Sequence, residues 1–333
     1  MHIIIGLIMF MFLVLVHEFG HFAIAKLSGI KVNEFSIGMG PQLAQFTKNE
    51  TQYSIRLLPL GGYVAMEGEE EFSEDARSYK NAKPYQRFLT ILAGPLMNLI
   101  TAFLIFLTIF SFNPTASTKV ESVEESLPAY EAGLKAGDEI VSVNGKKTPS
   151  FSHVSRGISE AEDQTVDLEV RRNGEIIKID DIKAKEVNGA PVIGFKAALN
   201  KGFFANVKEA FYRVLFIMQL LWDTLGMLFS GKLGMNALSG PIGVIKEVGT
   251  AAKLGFSTLL MFLAVISINL GFFNLLPIPA LDGSKLLFII IEKIIGRPID
   301  ERIEEKITMV GFALLLTLII LVSAKDIWAI FKK

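Results

Sequence analysis

The sequence predicts a multi-pass α-helical membrane protein with a β-rich domain inserted between its spans, and three observations carry that prediction. Of 333 residues, 51% are hydrophobic and 26 are Phe, with a mean hydropathy of +0.44, outside the usual range for a soluble globular chain. Four apolar stretches are long enough, or nearly so, for a hydrocarbon core that takes about 20 helical residues to cross. Between the second and the third, residues 114–200 change to short β-branched runs separated by turn residues.

The first span covers residues 2–25, where MHIIIGLIMFMFLVLV runs straight into HEFGH at 17–21. Ala23-Ile24-Ala25 imitates a signal-peptidase site, but no Lys or Arg precedes the apolar run as a secretory signal requires, so the segment reads as an uncleaved span. Residues 26–87 form a polar loop in which IKVNEFSIGMG and QYSIRLLPLGGYVAM alternate like strands, predicting a small hairpin or sheet against the membrane. Pro59 and Gly61-Gly62 are its expected tight turn. The second span, 88–112, carries no charge.

In 114–200 the runs KVESV, EIVSVNG and TVDLEVRRNGEIIKI are strands, with Asn144-Gly145 and Asn173-Gly174 as hairpin turns. Residues 201–253 hold an apolar stretch, Phe203 to Ser230, interrupted by Lys208, Glu209, Arg213 and Asp223. That pattern predicts an amphipathic helix on the membrane surface, followed by a GPIG loop. The third span, 254–281, stops at Asp282, and the fourth is 307–324. The membrane core is thus built from two halves, 1–113 and 254–333.

Charge and composition exclude several classes. A net charge of −1 with no basic block gives no electrostatic footprint for nucleic acid. Without Cys, disulfides and thiolate metal sites are impossible, so any metal must be held by His, Asp or Glu. The four His are His2, His17, His21 and His153.

Ionisable groups at the end of an apolar helix are costly, at roughly 2.5–3.5 kcal/mol for a charged side chain at the helix centre. On a helix, His17 and His21 fall one turn apart on one face, so both imidazoles can reach one zinc ion. Glu18 is placed to move protons on water without being a ligand, which is the HExxH arrangement of zinc hydrolases. Catalytic zinc takes a third protein ligand. Residues 88–112 and 307–324 offer no Asp, Glu or His, and NLLPIPALDG at 274–283 holds one acid, Asp282, the predicted third ligand. A carboxylate capping the helix that starts at LDGSKLLF is the alternative.

Depth links these residues. Residue 17 lies about 22 Å along its helix at 1.5 Å per residue, and Asp282 lies at the far end of its own span. The two meet only if both spans run the same way, which requires 203–230 not to cross. Loop 26–87 holds eight Lys or Arg and 292–306 holds four, which places both on the cytoplasmic side. Lys325, Lys332 and Lys333 run against that count.

HEFGH at 17–21, GGYV at 61–64, AGPLMN at 93–98, SGPIG at 239–243 and NLLPIPALDG at 274–283 together make the chain resemble the site-2 protease family of intramembrane zinc metalloproteases. The likeness is to the bacterial group that contains the regulator of sigma-E protease. The resemblance implies a Zn2+ enzyme with His17, His21 and Asp282 as ligands and Glu18 as catalytic base. It also implies Asn274, Pro277 and Pro279 near the substrate, and an active site toward the cytoplasmic side of a bacterial cell membrane. It further implies an extracytoplasmic PDZ domain, for which LPAYEAGLKAGDEIVSVNGK at 127–146 is the matching stretch; 114–200 has room for one copy. Expected substrates are single-pass membrane proteins, such as an anti-sigma factor or a signal-peptide remnant.

Pro277 and Pro279 break the third span and free backbone carbonyls beside Asp282. Asn274 either pairs with unwound substrate backbone or makes an interhelical hydrogen bond. Asn98 and Asn269 carry the same two readings, with packing favoured, and Gly94-Pro95 reads as a kink or close helix contact. Two rivals from other classes are an ion or proton transporter and a membrane scaffold using its PDZ domain. The four spans show no repeat, and neither rival has a use for Glu18 between two His.

Overall fold

The computed structural model describes residues 2–69, 73–187, 189–234 and 240–331. The chain begins with α1 (His2–Leu27), the strands β1 (Val32–Lys48) and β2 (Thr51–Met66), and α2 (Pro84–Phe112). There follow β3 (Ala116–Val123), α3 (Pro128–Glu131), β4 (Glu139–Val143), β5 (Lys146–Lys147), α4 (Phe151–Ser159), β6 (Thr165–Arg172) and β7 (Glu175–Lys183). Then come β8 (Lys185–Val187), β9 (Ala190–Val192) and β10 (Phe195–Leu199). The helices α5 (Phe203–Phe229), α6 (Pro241–Leu254), α7 (Phe256–Leu275), α8 (Asp282–Ile295) and α9 (Glu301–Phe331) complete the described chain. Two compact units divide it: Met1–Ile105 with Leu220–Lys333, and Phe106–Gln219.

Among the described residues, five helices are long and apolar enough to cross a membrane: Ile4–Leu27, Pro84–Phe112, Phe203–Phe229, Phe256–Leu275 and Glu301–Trp328. In α1, Leu13 and Ala25 are fully buried while Ile4, Ile8, Phe10 and Phe12 are exposed, so one face packs and the other is free to meet lipid. The charges of 203–230 do not interrupt α5, whose length and composition also suit a span. The third span is shorter than expected. Its helix stops at Leu275 rather than 281, because Pro277 and Pro279 have no N–H for a further turn.

In the first unit, α1 and α2 touch backbone to backbone. A Cβ on Gly20 would lie 2.4 Å from the Ala93 carbonyl oxygen, so only glycine allows this approach. The polar loop is a hairpin with two reversals, one at a turn the sequence did not signal and one at the expected Pro59 and Gly61-Gly62. Asn49 and Glu50, with φ of 48° and 70°, make the two-residue turn between β1 and β2. Pro59 and Gly61 lie inside β2, which folds back on itself: Ile37 faces both Ile55 and Gly62, and Glu34 both Gln52 and Ala65. Residues 32–37 therefore sit between two arms of β2. The arm from Gly62 to Met66 has β1 on one side, and its residues reach into the site described below.

At the other end of the unit, Asp326 of α9 accepts hydrogen bonds from the backbone N–H groups of Gly240 and Gly243, both at 2.9 Å. It thereby caps α6 from 83 residues away. Ser239 of the SGPIG stretch lies outside the described residues.

The second unit holds an antiparallel sheet in the order β10-β3-β4-β6-β7, with β5 paired to β4. Leu134, Ile140, Val154, Leu168, Ile182 and Ile193 form its core. The expected turns are present: Asn144-Gly145 and Asn173-Gly174 both have positive φ at each residue, as two-residue hairpin loops require. Asp138, 1% exposed, receives Arg172 Nε and Nη2 at 2.7 Å each and the Lys135 N–H at 2.8 Å. Burial pushes this carboxyl up, but the Arg172 bonds outweigh it and hold the group below its ordinary value. Its contribution is thus complete above about pH 4 and fades as pH falls through the lowered value. Asp138→Ala is expected to destabilise the sheet by about 3–5 kcal/mol, the cost of breaking a buried pair, seen as faster amide exchange in β4 and β6.

Candidate metal centre

His17 and His21 stand one turn apart on α1 with their rings edge to face, centroids 4.8 Å apart and Nε2 atoms 3.2 Å apart. Asp282 opens α8, yet it does not cap it; Leu281 holds the cap position and no side chain bonds there. Its carboxylate is turned to the histidines instead, with Oδ2 2.9 Å from His17 Nε2 and 3.4 Å from His21 Nε2. Ligands about 2.0–2.1 Å from a tetrahedral zinc ion lie about 3.3 Å from one another. The three separations bracket that value.

Chemistry of the donors supports the same fit. Asp282 Oδ2 is buried and has no hydrogen-bond donor aligned with it, an orphan that a cation would satisfy. His21 Nδ1 lies 2.8 Å from the Thr90 carbonyl. A carbonyl can only accept, so Nδ1 carries the proton and Nε2 presents its lone pair inward. The residues present therefore fit a divalent metal held by two imidazoles and one carboxylate.

Gly94 makes the room. A Cβ built there would lie 2.3 Å from His21 Nε2 and 2.8 Å from His17 Nε2, on the spot where the ligand atoms converge. At Gly94 the sequence predicts a kink or a close helix contact. The contact is real, but what approaches is the ligand pair rather than another helix backbone.

Beside the ligands is a cavity of about 530 Å3, lined by His17, Glu18, His21 and Asp282 together with Tyr63 and Lys285. Glu18 shares the cavity with the metal ligands and lies against the β2 arm, where a Cβ on Gly62 would be 3.7 Å from Glu18 Cγ. Lys285 Nζ bonds Glu69 at 2.8 Å. Glu67, at the cavity wall, accepts from Ser73 Oγ, Lys31 Nζ and Asn33 Nδ2, which hold its carboxyl down at about 2. This anchor of the arm persists through mildly acid conditions.

The other expected site residues lie apart from this cavity. Asn274 donates to its own helix at Leu270 O, 3.0 Å, and faces an apolar cavity of about 630 Å3 lined also by Gly6, Phe10, Ile245, Asn269 and Phe273. Pro277 and Pro279 form the break between α7 and α8, with Pro279 against Gly311 of α9.

Residues 5–318 match Peptidase family M50. A candidate zinc metalloprotease of Clostridium perfringens is 38% identical over 330 residues, 98% of each chain. One of Clostridium acetobutylicum is 36% identical over 329 residues, 98% of this chain and 97% of the relative. Among solved structures, the PDZ domain of an SdrC-like protein from Listeria monocytogenes is 24% identical over 25% of this chain and 90% of its own, with a TM-score of 0.22. With two imidazoles and a carboxylate converging in an apolar helical core, and with matches of this extent, the chain belongs to Peptidase family M50 and is a zinc metalloprotease of the site-2 type.

Proposed function

We propose that this protease hydrolyses peptide bonds within or beside the membrane-spanning helices of single-pass proteins, with His17, His21 and Asp282 holding zinc and Glu18 acting as general base. The observation that carries the reading is the convergence of three ligand atoms on one point between apolar helices. Zinc, when bound, supplies Lewis-acid polarisation of the scissile carbonyl and lowers the pKa of water. Glu18 takes a proton from the attacking water and delivers it to the leaving amine.

A helix must unwind before it can be cut, since its carbonyls are engaged in their own hydrogen bonds. The Gly62–Met66 arm offers beside the cavity an edge that no strand among the described residues pairs, on which an extended stretch of substrate pairs as an added strand. Asn274 and the Pro277–Pro279 break receive the adjoining turn from the apolar side. Residues 114–200 are read as a PDZ domain outside the membrane, which either recognises a substrate end or excludes bulky outer domains. An anti-sigma factor or a signal-peptide remnant is a single-pass substrate of this kind.

The basic loops 26–87 and 292–306 support a cytoplasmic-side active site, and helix directions support two spans that run the same way. Gly6 near the start of α1 faces Ile245 and Val248 of α6, which leads directly into α7, so α1 and α7 begin at one end and reach His17 and Asp282 at the other. Thr90 meets His21 and Asn98 meets His17, so α2 returns. An even number of crossings then requires α5 to stay on the outer surface. Single cysteines introduced as Lys147→Cys and Lys232→Cys should react with an impermeant thiol reagent from outside intact cells. Lys83→Cys and Arg297→Cys should react only after the membrane is opened. Labelling of Lys232→Cys from the cytoplasm alone would overturn the topology.

A further inference from the structure

We propose that Asn98 is a positioning residue for His17, and that its side-chain amide turns end for end when zinc binds. The inference rests on the zinc-ligand reading above. Asn98 lies on α2, fully buried, and among the described residues the one hydrogen-bond partner of its side chain is His17: Nδ2 stands 3.2 Å from His17 Nδ1. Its Oδ1 is buried without a partner.

The two histidines are held differently from behind. Thr90 offers His21 a carbonyl, which fixes one tautomer permanently. Asn98 offers His17 an amide, whose two ends have nearly the same shape but opposite hydrogen-bonding character. With Nδ2 toward the ring, Nδ1 must accept, so a neutral His17 carries its proton on Nε2, the atom that would bind the metal. That tautomer cannot ligate a metal through Nε2. A metal at Nε2 needs the proton on Nδ1, and Nδ1–H needs an acceptor. Rotation of the Asn98 amide by a half-turn supplies one, and it breaks no other bond because Oδ1 has none to lose. Ser267 Oγ of α7 bonds the Asn98 backbone carbonyl at 2.8 Å, so the main chain stays in place while the amide turns.

A residue that only fills space would behave otherwise on substitution. Leu matches Asn in size but offers no acceptor; Asp offers only acceptors and cannot support the Nε2–H tautomer. Zinc affinity of the full-length protein in detergent, measured by competition with a chelator, should fall by about 10–100-fold in Asn98→Leu. In Asn98→Asp it should equal or exceed wild type. A packing role predicts the reverse order, with the buried charge of Asp the more harmful. Should either variant fail to fold, 15N-histidine spectra of the wild-type protein decide the matter. On chelation His17 should move its proton from Nδ1 to Nε2, while His21 keeps Nδ1–H. An unchanged His17 tautomer, or zinc affinity in Asn98→Leu within about threefold of wild type, overturns the proposal. Full zinc retention by His17→Ala would instead refute the ligand assignment beneath it.

Discussion

Glu18→Gln is expected to lower cleavage of a membrane-embedded model peptide by about 10²–10⁴-fold, the range that a positioned general base contributes, with zinc still bound at one ion per chain. Gln keeps the shape of Glu18 and its place in the cavity with the metal ligands, but at neutral pH it takes no proton from water. The three ligand atoms belong to other residues, so metal content measured by atomic absorption should not change. Activity above a few per cent of wild type in purified protein with full zinc occupancy would remove Glu18 from the reaction. Loss of zinc together with activity would make it a ligand instead.

The other large effect is expected from one methyl group. Gly94→Ala should abolish zinc binding, and cleavage with it, because the added carbon would stand 2.3 Å and 2.8 Å from the two Nε2 atoms. Atoms at that distance must move apart. The histidines are anchored behind by Thr90 and Asn98, and Gly94 is held in a helix pressed against α1. The helix itself should not suffer, since Ala is favoured over Gly in a helix interior by about 1 kcal/mol. Gly226→Ala in α5, where nothing lies within 4 Å of the new carbon, is the control. Thermal stability retained in both variants, with zinc lost only from Gly94→Ala, is the expected result. Stoichiometric zinc in Gly94→Ala would place the metal elsewhere.

How far the sequence disclosed this arrangement depended on the range of the interaction. The long apolar helices and the two Asn-Gly turns are set by residues close in sequence, and they were legible. His17 and His21 are four apart on one helix, so their pairing follows from helical geometry. Asp282 was reachable because an apolar chain leaves few acids to choose from. Of the fold-back of β2, the turn residues Pro59 and Gly61 were legible, but not that its arms flank Ile37, since alternation reads alike for a straight strand and a bent one. Nor were Thr90 and Asn98 legible as supports of the ligands. A backbone carbonyl carries no sequence signal, and a buried Asn reads the same whether it packs or positions. Gly94 showed itself only as a small residue in an apolar helix; its neighbours come from a helix some 70 residues earlier in the chain.

The cap that Asp326 places on α6 has a consequence for the order in which the molecule is completed. Synthesis delivers α6 well before residue 326 exists, so during insertion the N–H groups of Gly240 and Gly243 lack the acceptor they have in the finished fold. Through that interval α6 lacks this cap and keeps apolar contacts such as those of Ile245 and Val248 at Gly6. The apolar cavity it helps wall, with Asn269 and Asn274 inside, is correspondingly unfinished. α9, which emerges after all three metal ligands, supplies the acceptor that caps α6, so a nascent chain can hold those ligands before the wall beside Asn274 is secured.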